Sequence, residues 1–284
     1  MAEDYGIPGS GRATLWAGAV LVVVVLLIAL FGPLLTPYDP TTLRLEQRLE
    51  TPSLAHPLGL DELGRDILSR MVYGARISVG VGLSVVILAG LLGTLLGAIS
   101  GYAGGRVDTV LMRLTDVFLA FPGILLAIAL VAVLGPALRH VVLALVVIGW
   151  VGYARLVRGQ VLQIKEQEFV TAAQAAGVRA PRIVLRHILP NVLPTLLVQA
   201  SLGMAGAILA EASLSFLGLG IQPPTPSWGA MINAGRSHLL DAPHLALFPG
   251  IAILLTVMGL NFLGDGLVDL INPRRRRSGE PRED

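Results

Sequence analysis

EFVTAAQAAGVRAPRIVLRHILPN, Glu168 to Asn191, is the one long polar interruption in the second half of a chain otherwise built from apolar runs. Its first part is a strong helix former with small side chains, Ala172, Ala173, Ala175 and Ala176. Gly177 fits the helix-ending position where a positive φ is needed. Pro181 fits the first position of a new helix, which runs through Arg182, Ile183, Leu185, Arg186 and His187 until Pro190. The stretch reads as a two-armed helical elbow, and the long apolar segments on both sides place it outside the membrane. An arm lined with alanines can enter a groove on a partner because no long side chain blocks it. The plainer reading is an ordinary connecting loop.

The surrounding composition is that of a membrane protein. Of 284 residues, 54% are hydrophobic and only 14% charged, where a soluble domain carries about a quarter. A bilayer core of roughly 30 Å needs about 20 apolar residues per helix, and several runs reach that length. Cysteine is absent, which excludes disulfides, thiolate metal sites and a cysteine nucleophile. The five histidines are scattered without HExxH spacing, so no metal site is expected. The single lysine, Lys165, precedes Glu166 and lacks the Gly-Lys-Ser/Thr context that cradles phosphates. The chain therefore carries no Walker-type ATP site.

Six transmembrane helices are predicted. Trp16 to Leu35 is the first (residues 14–35 with its flank), closed by Pro33 and Pro37; it is too long for a signal-peptide core. Residues 36–75 form a loop in which helical spacing from Asp61 puts Ile67, Leu68, Met71 and Val72 on one side. That predicts a short amphipathic helix on the membrane surface, or else a solvated connector with salt bridges. The second span is Ile77 to Ser100. Its Ala89, Gly93, Gly97 and Gly101 recur every four residues and predict close helix packing. Val110 to Leu134 reads as the third span, kinked at Pro122. The fourth begins at Val141 and continues towards Arg158, the fifth is Pro194 to Leu217, and the sixth is Leu245 to Ile271.

With the amino terminus inside, fourteen basic residues fall on the inner side, among them Lys165, Arg179, Arg182, Arg186 and Arg274 to Arg277, against seven outside. The positive-inside rule then puts both termini (residues 1–13 and the basic tail 272–284) and the elbow in the cytoplasm. The Arg274 to Arg277 run is expected to hold anionic lipid headgroups. A nucleic-acid role is not expected for a run directly after a span.

Thr171-Ala172-Ala173, Gly177, Ile183, His187, Leu189 and Pro190 resemble the EAA loop (166–191) of membrane subunits of bacterial binding-protein-dependent ABC importers. His56 to Asp66, Tyr73 to Arg76, Gly101-Tyr102 with Gly104-Gly105, and Leu214 to Pro224 resemble the dipeptide/oligopeptide/nickel subgroup. They look most like its second, shorter permease (the DppC/OppC type). The resemblance runs from Gly32 to Pro273. It implies an all-α membrane protein of the type I importer permease fold, with a MetI-like core over residues 76–271. It also implies a related second permease, two cytoplasmic ATPase subunits that bind ATP and Mg, and an extracytoplasmic binding protein. No cofactor is implied in this chain. ATPase docking falls to Glu168, Thr171, Ala172, Ala173, Ala176, Gly177, Arg182, His187 and Pro190. The family's first acidic position is Thr171 here, so an acidic contact is missing at that point, though Glu168 or Glu166 could serve nearby. Di- or oligopeptides are the implied cargo, with glutathione or nickel as alternatives.

Two carboxylates are candidates for the pathway. An ionisable residue within a span is costly and is a functional hypothesis by default. Glu211 stands about 25 Å along its helix, near the outer interface, and Asp116 lies near the start of the third span. Glu211 either faces the pathway or bonds to a neighbour. Together with Asp116 it could instead serve a proton-coupled carrier, and a scaffold without transport activity is a third reading. Asp265 and Asp269 are expected to pair with Arg113 or Arg155, and Trp228 to sit in an outer interfacial loop within reach of the binding protein.

Overall fold

A computed structural model describes residues 10–271; the basic tail and the first residues of the amino-terminal segment, to which lipid contact and a cytoplasmic side were assigned above, lie outside the described residues. The helices are α1 (Ser10–Leu35), α2 (Ile67–Ala103), α3 (Gly105–Leu119), α4 (Gly123–Leu134), α5 (Leu138–Ile164), α6 (Glu168–Ala175), α7 (Ala180–Ile183), α8 (Leu189–Phe216), α9 (Trp228–Gly235) and α10 (His244–Ile271). No strand occurs among the described residues.

Close backbone approach fixes how the long helices pack. A Cβ on Gly93 would lie 2.4 Å from the Trp150 carbonyl oxygen, and one on Gly97 2.4 Å from that of Ala154. Gly101 meets Arg158 in the same way, so α2 and α5 run parallel along the predicted small-residue face. α1 and α10 run antiparallel, with Gly18 against Leu263, Gly259 against Leu21 and Gly266 against Leu15. The bundle has two ends. One carries the elbow; the other is closed by residues 36–66 and by the segment around α9, and is called the cap below.

Three expectations change. First, the helical spacing from Asp61 belongs to α2 and not to a separate surface helix. Asp66 caps α2 by accepting the Ser69 amide at 2.8 Å, and with no proline before Ala103 the helix runs on for 37 residues, about 55 Å. Ile67 is buried against Met231 and Leu245 rather than facing lipid.

Second, the third span is broken. α3 and α4 meet at 82°, far beyond a proline kink. Pro122 disfavours helical geometry at Phe121 and restarts the chain: its carbonyl accepts from the amides of Leu125 at 3.0 Å and Leu126 at 3.1 Å. Among the described residues, five helices are long and apolar enough to cross a membrane, and the broken pair makes a sixth if counted as one.

Third, Pro190 does not end the second arm of the elbow. A π-helical turn, Val184–Ile188, absorbs it: the Leu189 amide bonds back to Val184, and Pro190 falls in the first turn of α8, where its missing N–H costs nothing. Arm and fifth span therefore form one continuous helical stretch of 37 residues, Ala180–Phe216.

Candidate functional site

The elbow forms as its glycine and proline dictate. Gly177 has φ +74°, and its amide donates to Gln174 O at 2.9 Å while the Val178 amide reaches Ala173 O at 3.1 Å. This paired closure satisfies the last carbonyls of α6. Val170, Ile183, Ile188 and Val192 are buried with Ala98 of α2 and with Val157 and Val161 of α5. One apolar cluster thus fastens the elbow to α2, α5 and α8.

The outer surface of the elbow is open. Glu168, Thr171, Ala172, Ala176, Gly177, Arg182 and Pro190 are exposed, whereas Ala173 and His187 are half-buried. Ala173 packs against the apolar cluster, so it holds the arm rather than presenting itself. The Thr171 hydroxyl donates to Glu168 O at 2.9 Å and is occupied by its own helix. Glu168 lies in the first turn of α6, where the helix dipole favours a carboxylate.

Next to the elbow, Asp108 of α3 accepts both guanidinium arms of Arg158 of α5, one at 2.7 Å, and the hydroxyl of Ser100 of α2. Lys165 Nζ donates to Gly101 O at 3.3 Å. These contacts tie α2, α3 and α5 together where the elbow attaches. No sequence motif pairs Asp108 with Arg158. Opposite charges at the ends of two adjacent apolar runs are the signal that could have joined them.

Asp116 pairs with Arg155, and both side chains are about half exposed. Arg155 is thus engaged by Asp116, and Asp265 is exposed. No direct hydrogen bond or ion pair joins Asp116 to Glu211.

Glu211 is fully buried. It accepts hydroxyl hydrogen bonds from Ser215 at 2.7 Å and from Ser78 of α2 at 3.1 Å. The Trp228 amide in turn donates to Ser78 Oγ at 3.4 Å. The carboxyl group faces this seam between α2, α8 and α9 rather than an open pathway, which favours the bonded-neighbour reading. Trp228 is also buried. Its Nε1–H donates to Met71 O at 3.0 Å, and its ring packs against Gly74. It is an internal anchor and has no surface to offer a binding protein.

The cap is not a solvated connector. His56, Asp61, Arg65, Asp66 and Arg70 are all buried. The Asp61 carboxylate accepts from Arg65 Nε at 2.7 Å and from the amides of Leu63 and Arg65 at 2.9 Å, with Arg70 Nε at 3.3 Å. Arg70 Nη1 also donates to Pro40 O at 3.1 Å. His56 Nδ1–H donates to Asp66 at 2.8 Å while its Nε2 accepts from Arg44 at 2.9 Å, an arrangement that suits neutral imidazole. Gly64, at φ +70°, lets the Arg44 carbonyl pass so close that a Cβ there would sit 1.9 Å from its oxygen. On the exposed rim, the Thr41 hydroxyl and amide hold the Asp39 carboxyl below the usual carboxylate range. His238 does the same for Asp241. Among the described residues, no group of three or more His, Asp or Glu converges as a metal site would.

Comparison with known proteins bears on this geometry. Residues 93–277 match the family described as binding-protein-dependent transport system inner membrane component. Residues 14–57 match the N-terminal transmembrane domain of oligopeptide transport permease C. The chain is 46% identical over 259 residues to the dipeptide transport system permease protein DppC of Alkalihalophilus pseudofirmus, covering 91% of this chain and 85% of that one. It is 45% identical to the probable D,D-dipeptide transport system permease protein DdpC of Escherichia coli K12, covering 90% and 86%. Identity is also 45% to the glutathione transport system permease protein GsiD of Pectobacterium atrosepticum, covering 91% and 86%. Among solved structures, a chain of the inward-facing MetNI methionine ABC transporter matches with a TM-score of 0.54 at 18% identity, covering 69% of this chain and 94% of that one. That likeness speaks for the fold.

Proposed function

Because the chain belongs to the family of binding-protein-dependent transport system inner membrane components, we propose that it is one of two related permease subunits of an ATP-driven importer of di- or oligopeptides. It is a multi-pass inner-membrane protein. The observation that carries the cargo is the 46% identity to a dipeptide permease along 91% of the chain. Glutathione is the second reading, favoured by the nearly equal identity to a glutathione permease.

In this reading the chain is non-catalytic. Two cytoplasmic ATPase subunits bind ATP and Mg and supply the energy, a second permease completes the pathway, and an extracytoplasmic binding protein delivers cargo. Both termini and the elbow face the cytoplasm, as the excess of basic residues around the elbow favours. Glu168, Thr171, Ala172, Ala176, Gly177, Arg182 and Pro190 form the docking face, with Glu168 as the acid in place of Thr171. Ala173 and His187 hold that face in position. ATP-driven movement of the docked elbow passes through its buried cluster to α2, α5 and α8.

Gly177→Trp tests the docking. The space around Gly177 is open, so the cost to folding is about 1–2 kcal/mol of left-handed backbone strain. The variant is expected to insert normally and to lose co-purifying ATPase subunits together with dipeptide uptake. Unchanged co-purification and uptake would sink the assignment of the elbow. Uptake by the chain alone that collapses with an uncoupler would instead establish a proton-coupled carrier.

A further inference from the structure

The corner between α3 and α4 lies at mid-depth in the bundle. Phe118 meets Trp150 edge-on, with 5.7 Å between ring centres, and a Cβ on Gly123 would lie 3.1 Å from the Ile148 side chain. Ile148 and Trp150 stand near the middle of α5, which is 27 residues long. Here the chain turns by 82° and leaves the helix. Among the described residues nothing donates to the carbonyl oxygens of Ala120 and Phe121, and both residues are exposed. Hydrocarbon cannot cover such a corner, because non-helical backbone at membrane depth persists only where protein buries it or water reaches it.

Its neighbours point to water. Asp116, one turn before Ala120 on the same face of α3, is ion-paired with Arg155, and both side chains are about half exposed. Ionised groups within a span face a bundle interior or a water-filled cavity. A protein surface laid over the pair would strip water from both charges, and their attraction repays that only where further hydrogen bonds are supplied. On the other side of the corner, Gly123 and Ile124 open an apolar hollow of about 250 Å³, walled by Gly149 of α5 and by Gly203 and Gly206 of α8. A Cβ on Gly206 would meet nothing within 4 Å. The hollow is smaller than the roughly 300 Å³ at which pockets for whole drug-sized ligands begin, so it takes part of a cargo. Ile148, which also lines it, and Arg155 are two turns apart on one face of α5. Ion pair, corner and hollow therefore follow one another along a single strip.

We propose that this strip lines the aqueous pathway and is a binding site for a short peptide in transit. Asp116 faces the peptide's ammonium group and Arg155 its carboxylate. The free carbonyls of Ala120 and Phe121 accept from its amides, and the hollow takes an apolar side chain. Together they match the three kinds of group that a short peptide carries. The inference rests on the importer reading above and adds where along this chain the cargo passes.

The chain has no cysteine, so single cysteines report water access directly. The test uses vesicles holding the full chain with its related permease, ATPase subunits and binding protein, and a charged, water-soluble maleimide; the cysteine-free wild type gives the background. Ala120→Cys and Gly206→Cys should be modified roughly 100-fold faster than Leu254→Cys, an exposed apolar position on α10, because a charged reagent loses about that factor on entering the bilayer centre. Adding the dipeptide Ala-Phe should slow both modifications, and the modified protein should lose uptake. Ala120→Cys modified no faster than Leu254→Cys would mean that the second permease covers the corner, and would overturn the proposal. Modification that the dipeptide leaves unchanged would overturn it too, with the importer reading left standing. A wild type that takes up no dipeptide removes that reading and the cargo site with it. Uptake before modification shows that each variant is folded; if Gly206→Cys fails that check, Ala120→Cys decides alone.

Discussion

The two ends of the bundle hold their charges in opposite ways. At the cap, Asp61, Arg65, Asp66 and Arg70 are buried and cross-paired within a loop that a short sequence span supplies almost entirely. At the elbow, Arg179, Arg182 and Arg186 are exposed and make no ion pair with another described residue, while the stability of the region comes from Val170, Ile183, Ile188 and Val192 beneath them. The cap uses charge to lock its own backbone. The elbow keeps its charge outside the fold, available to whatever approaches it. A closed end and an open end on one bundle are what a subunit needs if one side is self-contained and the other works against partners.

The sharpest way to break that contrast is Asp61→Ala. It strands two buried guanidinium groups, and removing one member of a buried ionic network costs about 3–5 kcal/mol. Thermal unfolding in detergent should show a large loss, and a small one would mean that the cap is wetter than its geometry implies. Gly97→Val comes next. Its new side chain would press on the Ala154 carbonyl and on Val157, and overpacking of this kind costs about 1–3 kcal/mol. The same assay reads it, with α2 and α5 expected to separate at the elbow end. Trp228→Phe should cost about 1 kcal/mol, because it removes the donor to Met71 O but keeps most of the ring.

Smaller still is Glu211→Gln, which retains an acceptor for one of Ser215 and Ser78 and offers the other an N–H that its hydroxyl can accept. Uptake at equal expression is expected to stay unchanged for cationic and neutral peptides alike, and a selective loss of cationic cargo would return Glu211 to the pathway. At the bottom of the scale stands Arg182→Ala, within about 0.5 kcal/mol of wild-type stability because nothing in the fold depends on that guanidinium. If it unfolds the protein, the open end is not open. If it is stable yet releases the ATPases, the contrast between the ends is functional.

Much of this architecture could be read along the chain because the deciding signals are local. Hydropathy marks the spans, a four-residue spacing of small residues marks the α2–α5 contact, and Gly177 with Pro181 marks the elbow. What escaped depends on residues far apart or on how the backbone resolves a conflict. Nothing near Glu211 announces Ser78, 133 positions away, and Trp228 looks interfacial until Met71 is seen beneath it. Pro190 looks like a helix stop because a π-turn has no side-chain signature. Pro122 looks like a kink because its local chemistry is the same whether the chain bends a little or by 82°. In the cap, helical spacing after Asp61 was a true pattern belonging to a longer helix.

That π-turn at Val184–Ile188 has a mechanical meaning. From Pro181 to Glu211 the chain runs as a rod about 45 Å long, tied at its far end to α2 by the Ser78 hydroxyl. A tilt of about 10° around that anchor would swing the elbow by about 8 Å over the rod's length. The wider turn, with its looser hydrogen-bond register, is a place where the rod can yield without breaking, and Pro194 inside α8 is a second. Force applied at the elbow is thus divided between a hinge five residues long and a lever that ends at the cap.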